Sequence, residues 1–314
     1  MRVRFWGVRG SHPTPMTPDA VRSKIASVVQ RIRPEDLVTA RARESFLAAL
    51  PHWLFGATGG NTPCVEVELA DGSFLVFDTG SGIRELSAYF SRQLQVPERF
   101  HIFYSHFHYD HVQGLPFFGP AYNPRTELNF YSPVADFRSY LSEHMRHPYF
   151  PITMEDRMTK NMDFHVLGGD SMSVGSATIT WRFLNHPGGS YAYRLDEDGR
   201  TMIIATDTEL LESDFERNPA NIRFFRGADL LILDTQYTLG EAIEKFNWGH
   251  SSFSLGVDFA TVWDIKKLYL FHHEPLYDDK KLHRNLQSAR WYAHRLGNDR
   301  LEIFLSEEGL EVPI

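Results

Sequence analysis

The sequence has little of what several protein classes require. Its 314 residues include one cysteine, Cys64, which excludes an intrachain disulfide, a cysteine-rich zinc ribbon and an iron–sulfur site. No apolar run approaches the roughly 20 residues that cross a bilayer, and residues 1–7 lack the apolar core of a signal peptide. The formal net charge of -8 argues against affinity built on nucleic-acid phosphates. We therefore expect a cytoplasmic protein that binds neither a membrane nor a large nucleic acid.

The hydrophobic pattern predicts an α/β protein. Short β-branched and aromatic runs alternate with helical patterns, and no composition break or linker divides the chain, so we expect one domain over 1–314. The predicted strands are 2–6, 64–69, 74–78, 101–105, 128–132, 178–184, 190–195, 202–206, 230–234, 267–271 and 301–305. The predicted helical stretches are 18–50, 82–94, 134–147, 251–264 and 278–296.

A helical insertion over 16–58 is predicted between the first two strands. Its stretch 16–50 carries many charged side chains of both signs. Charged helix faces usually point to solvent, so a solvated helical pair packed on the core is the favoured interpretation. A lid or a dimer contact near the functional site is the alternative, and the sequence does not separate the two.

A dense group of metal-ligand residues follows the strand 101–105. His106 and His108 are two positions apart, so they point to the same side of an extended segment. A turn then brings Asp110 and His111 back towards the same point. Three imidazoles and a carboxylate at this spacing suit zinc, manganese or iron.

Four further residues stand where predicted strands end, namely Asp78, His186, Asp207 and His272. The carboxyl ends of neighbouring strands meet at one rim of a sheet, where ligand sites of α/β proteins are usually built. Each residue taken alone would be an ordinary loop or capping residue. Together with the histidine group, they predict a metal centre.

The ordered set of these residues resembles the metal motifs of the metallo-β-lactamase superfamily. Within it, the chain is most similar to the phosphodiesterase branch of ribonuclease Z and bacterial cyclic-nucleotide or cyclic-phosphate phosphodiesterases. Four stretches support that branch: Gly7-Val8-Arg9-Gly10-Ser11, Asn61-Thr62, the run 186–194 with Ala192 in place of a glycine, and Gly249-His250-Ser251-Ser252. The resemblance implies an α/β fold, the four-layer αββα metallo-β-lactamase sandwich, with a helical insertion near the N-terminus.

The resemblance also implies a binuclear centre with two divalent ions, of which zinc is favoured and manganese or iron would also suit. The implied ligands are His106, His108 and His186 for one ion, Asp110, His111 and His272 for the other, and Asp207 as the bridge. Asp78 is expected to orient the histidine loop rather than to bind metal.

A small phosphodiester, either a cyclic nucleotide or a cyclic phosphate, is the expected substrate. Hydroxide held by the two ions would attack phosphorus, and Asp110 would orient or deprotonate the attacking water. His250 is the candidate proton donor to the leaving group, with Asp234 keeping its imidazole charged. A helix N-cap neighbourhood is the alternative explanation of His250, because two serines follow it.

Several weaker features have both a functional and an ordinary explanation. Arg9, Ser11 and Asn61 could contact the phosphate, although glycine-flanked strand ends need such residues for turns. The run 148–151, Pro-Tyr-Phe-Pro, could form a wall of a base-binding pocket, although core packing is favoured.

Two other functions remain open. A lactonase or thioesterase of the same fold would direct the same chemistry at a carbonyl group, but His250 is an acid that those branches do not place there. A metal-dependent binding or sensor module without turnover is the second, since fold alone does not prove function. The oligomeric state is open, and a homodimer is common enough among soluble proteins to expect.

Overall fold

The structure is a computed structural model that describes residues 1–314, with strands and helices interleaved along the whole chain. The strands are β1 (Arg2–Gly7), β2 (Cys64–Glu68), β3 (Phe74–Phe77), β4 (Arg99–Phe103), β5 (Glu127–Ser132), β6 (Met162–Val166), β7 (Ser171–Val174), β8 (Ala177–Leu184), β9 (Ser190–Glu197), β10 (Arg200–Ala205), β11 (Leu230–Asp234), β12 (Lys267–Phe271), β13 (Glu302–Leu305) and β14 (Glu311–Pro313). The α-helices are α1 (Pro18–Val29), α2 (Ala40–Ala49), α3 (His52–Phe55), α4 (Ile83–Phe90), α5 (Tyr109–Val112), α6 (Phe137–His144), α7 (Met154–Arg157), α8 (Glu212–Phe215), α9 (Pro219–Phe225), α10 (Leu239–Glu244), α11 (Phe253–Val262) and α12 (Asp279–Arg295).

The strands form two seven-stranded sheets. The first has the order β14-β1-β2-β3-β4-β5-β6, and the second has the order β13-β12-β11-β10-β9-β8-β7. In each sheet four neighbouring strands run parallel, β3 to β6 in the first and β10 to β13 in the second. The C-terminal strand β14 returns to pair with β1, so the second half of the chain completes the first sheet.

The two sheets pack face to face and carry helices on their outer faces. Aromatic pairs join the sheets: the rings of Phe5 and Tyr269 stack at 5.5 Å, and those of Phe103 and Tyr193 meet edge to face at 5.4 Å. The outer face of the first sheet packs on α4 and α6, and that of the second on α9, α11 and α12. The central strand β11 is buried at every residue, as a parallel strand covered on both faces must be. These four layers confirm the predicted αββα sandwich.

The eleven predicted strands are all present, with ends that differ by at most two residues. Three strands were not predicted: β6, β7 and the three-residue β14. Asn61 and Thr62 lie in the loop before β2 rather than at its first residue. None of the helices combines the length and the apolar character that a membrane crossing requires.

The segment 16–58 forms α1, α2 and α3 rather than one continuous helical stretch. The break follows from Pro34, because proline lacks the N–H that a continuing helix needs. No residue of α1 or α2 is buried, which agrees with the solvated helical pair. Lys24 attaches the segment to the core through the carboxylate of Asp279. The backbone N–H of Thr14 donates to the carbonyl oxygen of Gly60 at 2.6 Å, so the two ends of the segment lie side by side.

Candidate metal centre

Histidine and aspartate side chains converge at one rim of the two sheets. Asp78 follows β3, His106 follows β4, Asp207 follows β10, Asp234 ends β11 and His272 follows β12. Five groups have ligand atoms that lie within 4.8 Å of one another, and three of them contain predicted ligands alone: His106, His108 and His186; His106, His111 and Asp207; and Asp110, His111 and His272. The other two include His250: His186, Asp207 and His250; and Asp234, His250 and His272. The structure thus brings together all seven residues predicted as ligands.

The turn predicted after His108 is the start of helix α5. His108 is the N-cap residue and has extended backbone angles, whereas Asp110 and His111 belong to the first turn of the helix. This change from extended to helical backbone turns the last two side chains back towards the first two. The backbone N–H of Ser11 donates to Asp110 Oδ2 at 2.8 Å, which fixes that carboxylate from the opposite side.

The carboxylate of Asp78 holds the histidine loop without belonging to any of the three groups. It accepts hydrogen bonds from the Ser105 N–H at 2.8 Å and the Ser105 hydroxyl at 2.7 Å. Its Oδ2 lies 2.8 Å from Nδ1 of His111. Because Nδ1 is engaged there, Nε2 of His111 faces the centre. This geometry supports the orienting role predicted for Asp78.

Asp207 lies between the groups of candidate ligands. Its carboxylate oxygens are 3.3 Å from His111 Nε2 and 3.3 Å from His272 Nε2. They are 3.7 Å from His106 Nε2 and 3.8 Å from His186 Nε2. Oδ1 faces His111, whereas Oδ2 faces His106, His186 and His272. The carboxylate therefore lies between the two predicted sets of ligands, where it could contact both cations.

Three buried polar atoms of the centre have no hydrogen-bond partner: His106 Nε2, His111 Nε2 and Asp207 Oδ1. A buried polar atom without a partner costs free energy, so such atoms need another form of compensation. A divalent cation would compensate all three, and imidazole with carboxylate is a donor set suited to zinc, manganese or iron. The residues therefore fit metal ions.

The charge state of the candidate ligands is set by burial and by their mutual proximity. Burial lowers the pKa of His106, His108 and His186, which keeps them in the neutral form that binds metal. Burial alone would raise the pKa of Asp110 and Asp207, but the neighbouring imidazoles lower it well below the usual value. Both carboxylates therefore carry charge.

His250 and Asp234 form a buried pair beside the candidate ligands. His250 Nδ1 lies 2.7 Å from Asp234 Oδ2, and the imidazole of His250 stacks on that of His272 with ring centroids 4.8 Å apart. Burial lowers the pKa of His250, but the charge and hydrogen bond of Asp234 outweigh it and raise the pKa to about 9. A protonated imidazole thus faces the pocket. Helix α11 is capped by the Ser252 side chain, not by His250.

Glu209 is a functional candidate that sequence reasoning missed. Its carboxylate accepts the backbone N–H groups of Asn247 and Gly249, each at 3.0 Å. Both residues have positive φ, 67° and 89°, so the carboxylate stabilises a tight turn immediately before His250. The carbonyl oxygen of Gly249 also lies 2.8 Å from Nδ1 of His186. Glu209 thus holds the turn that positions two imidazoles. Nothing in the sequence around Glu209, including Asp207 two positions before it, indicated this role.

His272 is distinguished from its neighbours by its contacts. Its Nε2 lies 3.3 Å from Asp110 Oδ2, while Nδ1 lies 3.2 Å from the side-chain oxygen of Gln236. Gln236 in turn donates to Glu274 at 2.7 Å. Burial lowers the pKa of His273 to about 3, and its Nε2 donates to a backbone carbonyl 2.9 Å away, outside the centre. His272 is therefore the histidine of this pair that reaches the centre.

Of the three residues predicted to bind phosphate, Ser11 alone lines the pocket. The guanidinium of Arg9 is buried and donates to three backbone carbonyl groups. The side chain of Asn61 is bonded to Glu308 and Ser81. These contacts engage both side chains and hold loops together, and a phosphate contact by Arg9 or Asn61 stays a prediction.

The centre opens into a cavity of about 320 Å³. The lining residues are Ser11, Phe107, His108, Tyr109, Asp110, Asp207, His250 and His272. A cavity of this size lies at the small end of the range for ligand sites. The protonated His250 and the charged Asp110 both line it, so a proton donor and a proton acceptor face the same space.

Comparison with known proteins gives concordant matches. The family model described as the beta-lactamase superfamily domain matches residues 74–273. Ribonuclease Z of Synechococcus sp. (strain CC9605) is 24% identical over 256 residues, which cover 64% of this chain and 77% of that protein. The structure of a diphosphatase from the PhnP family has a TM-score of 0.64 at 17% identity, covering 100% of this chain and 97% of that one. Human tRNase Z, short form, has a TM-score of 0.60 at 17% identity, covering 100% and 99%.

Proposed function

We propose that this chain, which belongs to the beta-lactamase superfamily and is a hydrolase of the metallo-β-lactamase fold, cleaves a small phosphodiester, either a cyclic nucleotide or a cyclic phosphate. The observation that carries the proposal is the buried His250–Asp234 pair beside the metal centre. A carbonyl-directed hydrolase of this fold has no need of such an acid at that place. Relatives named ribonuclease Z, tRNase Z and diphosphatase support a phosphate ester as the substrate.

The candidate ligands would hold two divalent cations, with zinc favoured. His106, His108 and His186 would bind one ion, Asp110, His111 and His272 the other, and Asp207 both. When bound, such ions lower the pKa of a water molecule towards about 7 and offset the charge that gathers on phosphate oxygens. The buried nitrogen and oxygen atoms that lack partners support this assignment.

The protein side chains would supply proton transfer and orientation. Asp110 Oδ2, fixed by the Ser11 N–H, is placed to accept a hydrogen bond from the attacking water. His250 donates Nδ1–H to Asp234, which leaves Nε2–H free to protonate the departing alkoxide. As the water oxygen forms its bond to phosphorus and gives up a proton to Asp110, the P–O bond to the leaving group breaks, its electron pair takes the proton of His250, and His250 is left neutral. Exchange with solvent then returns both groups to their starting states, because the charge and hydrogen bond of Asp234 favour the charged form of His250.

The first experiment compares two phosphodiesters on metal-stripped protein reloaded with zinc or manganese. Bis(p-nitrophenyl) phosphate has a leaving group that needs little protonation, whereas a dialkyl-type diester expels an alkoxide that needs a proton. We expect His250→Ala to lower kcat for the alkoxide substrate by ~10²–10⁴-fold and to affect the p-nitrophenyl substrate much less.

His294→Ala is the matched control. His294 also lies against a carboxylate, with Nδ1 2.6 Å from Asp299 Oδ1, but this pair is exposed and belongs neither to the candidate ligands nor to the lining of the cavity. Its removal should leave both rates unchanged. An absence of turnover with two metals bound per chain would contradict the phosphodiesterase proposal and favour lactones, thioesters or a sensor role. Equal losses on both substrates in His250→Ala would contradict the proton-donor role.

A further inference from the structure

A second cavity, of about 680 Å³, adjoins the metal-site cavity. The two share Phe107 and Tyr109 as lining residues, so they lie side by side on either side of these rings. The new cavity is lined mainly by aromatic rings, those of Phe107, Tyr109, Phe117, Tyr140, Tyr149 and Phe150, and we call it the aromatic cleft. Its volume lies within the range typical of small-molecule sites, roughly 300–1,000 Å³.

The rings of the aromatic cleft are exposed to an unusual degree. Tyr109 is 78%, Tyr149 76% and Phe117 57% accessible to solvent. Aromatic side chains normally contribute their area to a core, so a concentration of exposed rings around one cavity marks a binding surface. Tyr149 belongs to the run 148–151, for which core packing was the favoured interpretation. Its exposure makes core packing wrong for this residue and agrees with the alternative, a pocket wall.

The arrangement of the rings suits a flat aromatic guest. Phe117 and Phe150 meet edge to face with centroids 5.8 Å apart and planes at 89°, which fixes both rings. Phe107 is fixed in the same way against Tyr140, at 5.5 Å. The exposed face of Tyr149 has no such partner among the rings of the cleft. A planar group entering the cleft would supply that partner.

The polar groups of the aromatic cleft do not suit a polyanion. Its charged lining residues are Arg146 and Glu143, one of each sign. Burial lowers the pKa of His144, so that imidazole adds no charge near neutral pH. Proteins that bind nucleic-acid polymers neutralise several phosphates with lysine and arginine. The cleft offers aromatic rings for stacking and polar groups of both signs, a combination that suits a single nucleobase.

We propose that the aromatic cleft binds the nucleobase of a small nucleotide diester whose phosphate lies in the adjoining metal-site cavity. This inference rests on the proposed function, because it uses the metal site as the phosphate position. Phe107 and Tyr109 stand at the junction, where the sugar would lie. Tyr149 stacks on the base and determines the preference for nucleotides over simple diesters.

Equilibrium binding tests the aromatic cleft independently of turnover. Calorimetry with zinc-loaded protein compares adenosine and uridine 5′-monophosphates with methyl phosphate. We expect Tyr149→Ala to weaken binding of the nucleotides about tenfold, equivalent to about 1.4 kcal/mol, and to leave methyl phosphate unchanged. Trp291→Ala is the control, because Trp291 is also 63% exposed but does not line the cleft. Nucleotides that bind no more tightly than methyl phosphate, or that bind Tyr149→Ala and Phe117→Ala as they bind the wild type, would overturn the inference.

Kinetics with a shared leaving group provides the second measurement. The p-nitrophenyl ester of thymidine 5′-phosphate and methyl p-nitrophenyl phosphate differ only in the group that the cleft would hold. We expect Tyr149→Ala to raise KM about tenfold for the nucleoside ester alone, with kcat unchanged. If the wild type hydrolyses neither ester, the proposed function is wrong. The calorimetry would still show whether the aromatic cleft binds a nucleobase. A single-stranded RNA decamer that binds more tightly than the mononucleotides, with steep salt dependence, would contradict a mononucleotide site.

Discussion

At the scale of single residues, three imidazoles of the centre are each oriented by a group outside it. Asp78 engages Nδ1 of His111, Gln236 engages Nδ1 of His272, and a backbone carbonyl engages Nδ1 of His186. A hydrogen bond at Nδ1 fixes the tautomer of the ring, so Nε2 faces the centre and is available to bind metal. The metal affinity of the chain therefore depends on residues that touch no metal.

Asp78→Asn tests this dependence. Asp78 has a φ of 59°, a left-handed conformation that asparagine tolerates, so the change removes charge with little backbone strain. We expect zinc affinity to fall roughly 10–100-fold, in line with the effect of removing similar orienting groups. Competition with a chelator measures it. An unchanged affinity would show that Ser105 and the fold orient His111 without the carboxylate.

Glu66 should make the stability of the fold depend on pH. It is 4% exposed and accepts a hydrogen bond from Trp6 Nε1 at 2.6 Å, and burial raises its pKa from 4.5 to about 7. Between these values the folded state binds more protons than the unfolded state, so the free energy of unfolding should fall as pH rises. The contribution is at most about 3 kcal/mol.

Glu66→Gln should flatten this dependence while keeping an acceptor for Trp6. Chemical denaturation of metal-loaded protein from pH 5 to pH 8 measures the difference. Glu302→Gln, at an exposed position of β13, is the control. A Glu66→Gln curve parallel to that of the wild type would show that Glu66 is already ionised at pH 5.

The candidate ligands were predictable because their spacing is local and their residue types are specific. Residues two positions apart on an extended segment can be recognised from the sequence alone, and so can residues at the ends of predicted strands. The roles of Glu209, Gln236 and Arg9 depend on which distant loop each one meets. Nothing in their immediate sequence distinguishes a buried glutamate that accepts two N–H groups from a solvated one.

At the scale of elements, interior strands were predictable, whereas three of the four edge strands, β6, β7 and β14, were not predicted. The sequences of β6 (MDFHV) and β7 (SMSV) both alternate apolar and polar residues, as a half-buried strand does. The two runs are only five and four residues long and most of their residues are not buried, so the alternation was overlooked. The pairing of β14 with β1 spans almost the whole chain, so no local pattern could indicate it.

Excision of 16–58 tests whether that segment is an insertion. Its ends already pair through Thr14 and Gly60, so a short Gly-Ser bridge can join residues 15 and 59. Leu54 is the buried residue of α1 to α3, and losing it should cost roughly 1.5–3 kcal/mol. We expect the shortened chain to unfold cooperatively and to retain its metal content, as thermal denaturation and metal analysis would measure. A chain that is unfolded or metal-free would make the segment integral to the domain.

At the scale of the whole molecule, metal binding and folding are coupled. The candidate ligands span residues 106 to 272, so the unfolded chain cannot assemble them. Burial lowers the pKa of His111, but the charges of Asp207, Asp110 and Asp78 raise it well above its usual value, so a cation must displace a proton there. Metal affinity should therefore weaken at low pH.

Removal of metal should destabilise the fold. Zinc at a hundredfold excess over its Kd should stabilise the folded state by about 2.7 kcal/mol, which corresponds to a rise in Tm of roughly 4 °C for a chain of this length. Thermal unfolding of chelator-treated and zinc-reloaded protein measures the difference. Magnesium, which suits oxygen ligands, should give little or no rise. Identical melting curves with and without zinc would show that the fold does not depend on the centre.

The connection between the sheets has a consequence for fragment complementation. The exposed Gly168-Gly169 turn joins β6 to β7, and cutting there would leave His106, His108, Asp110 and His111 on one fragment and His186, Asp207 and His272 on the other. Neither fragment alone carries the complete set. Mixed fragments should therefore acquire the absorption of bound cobalt as the two halves dock, which would make the centre a reporter of its own assembly.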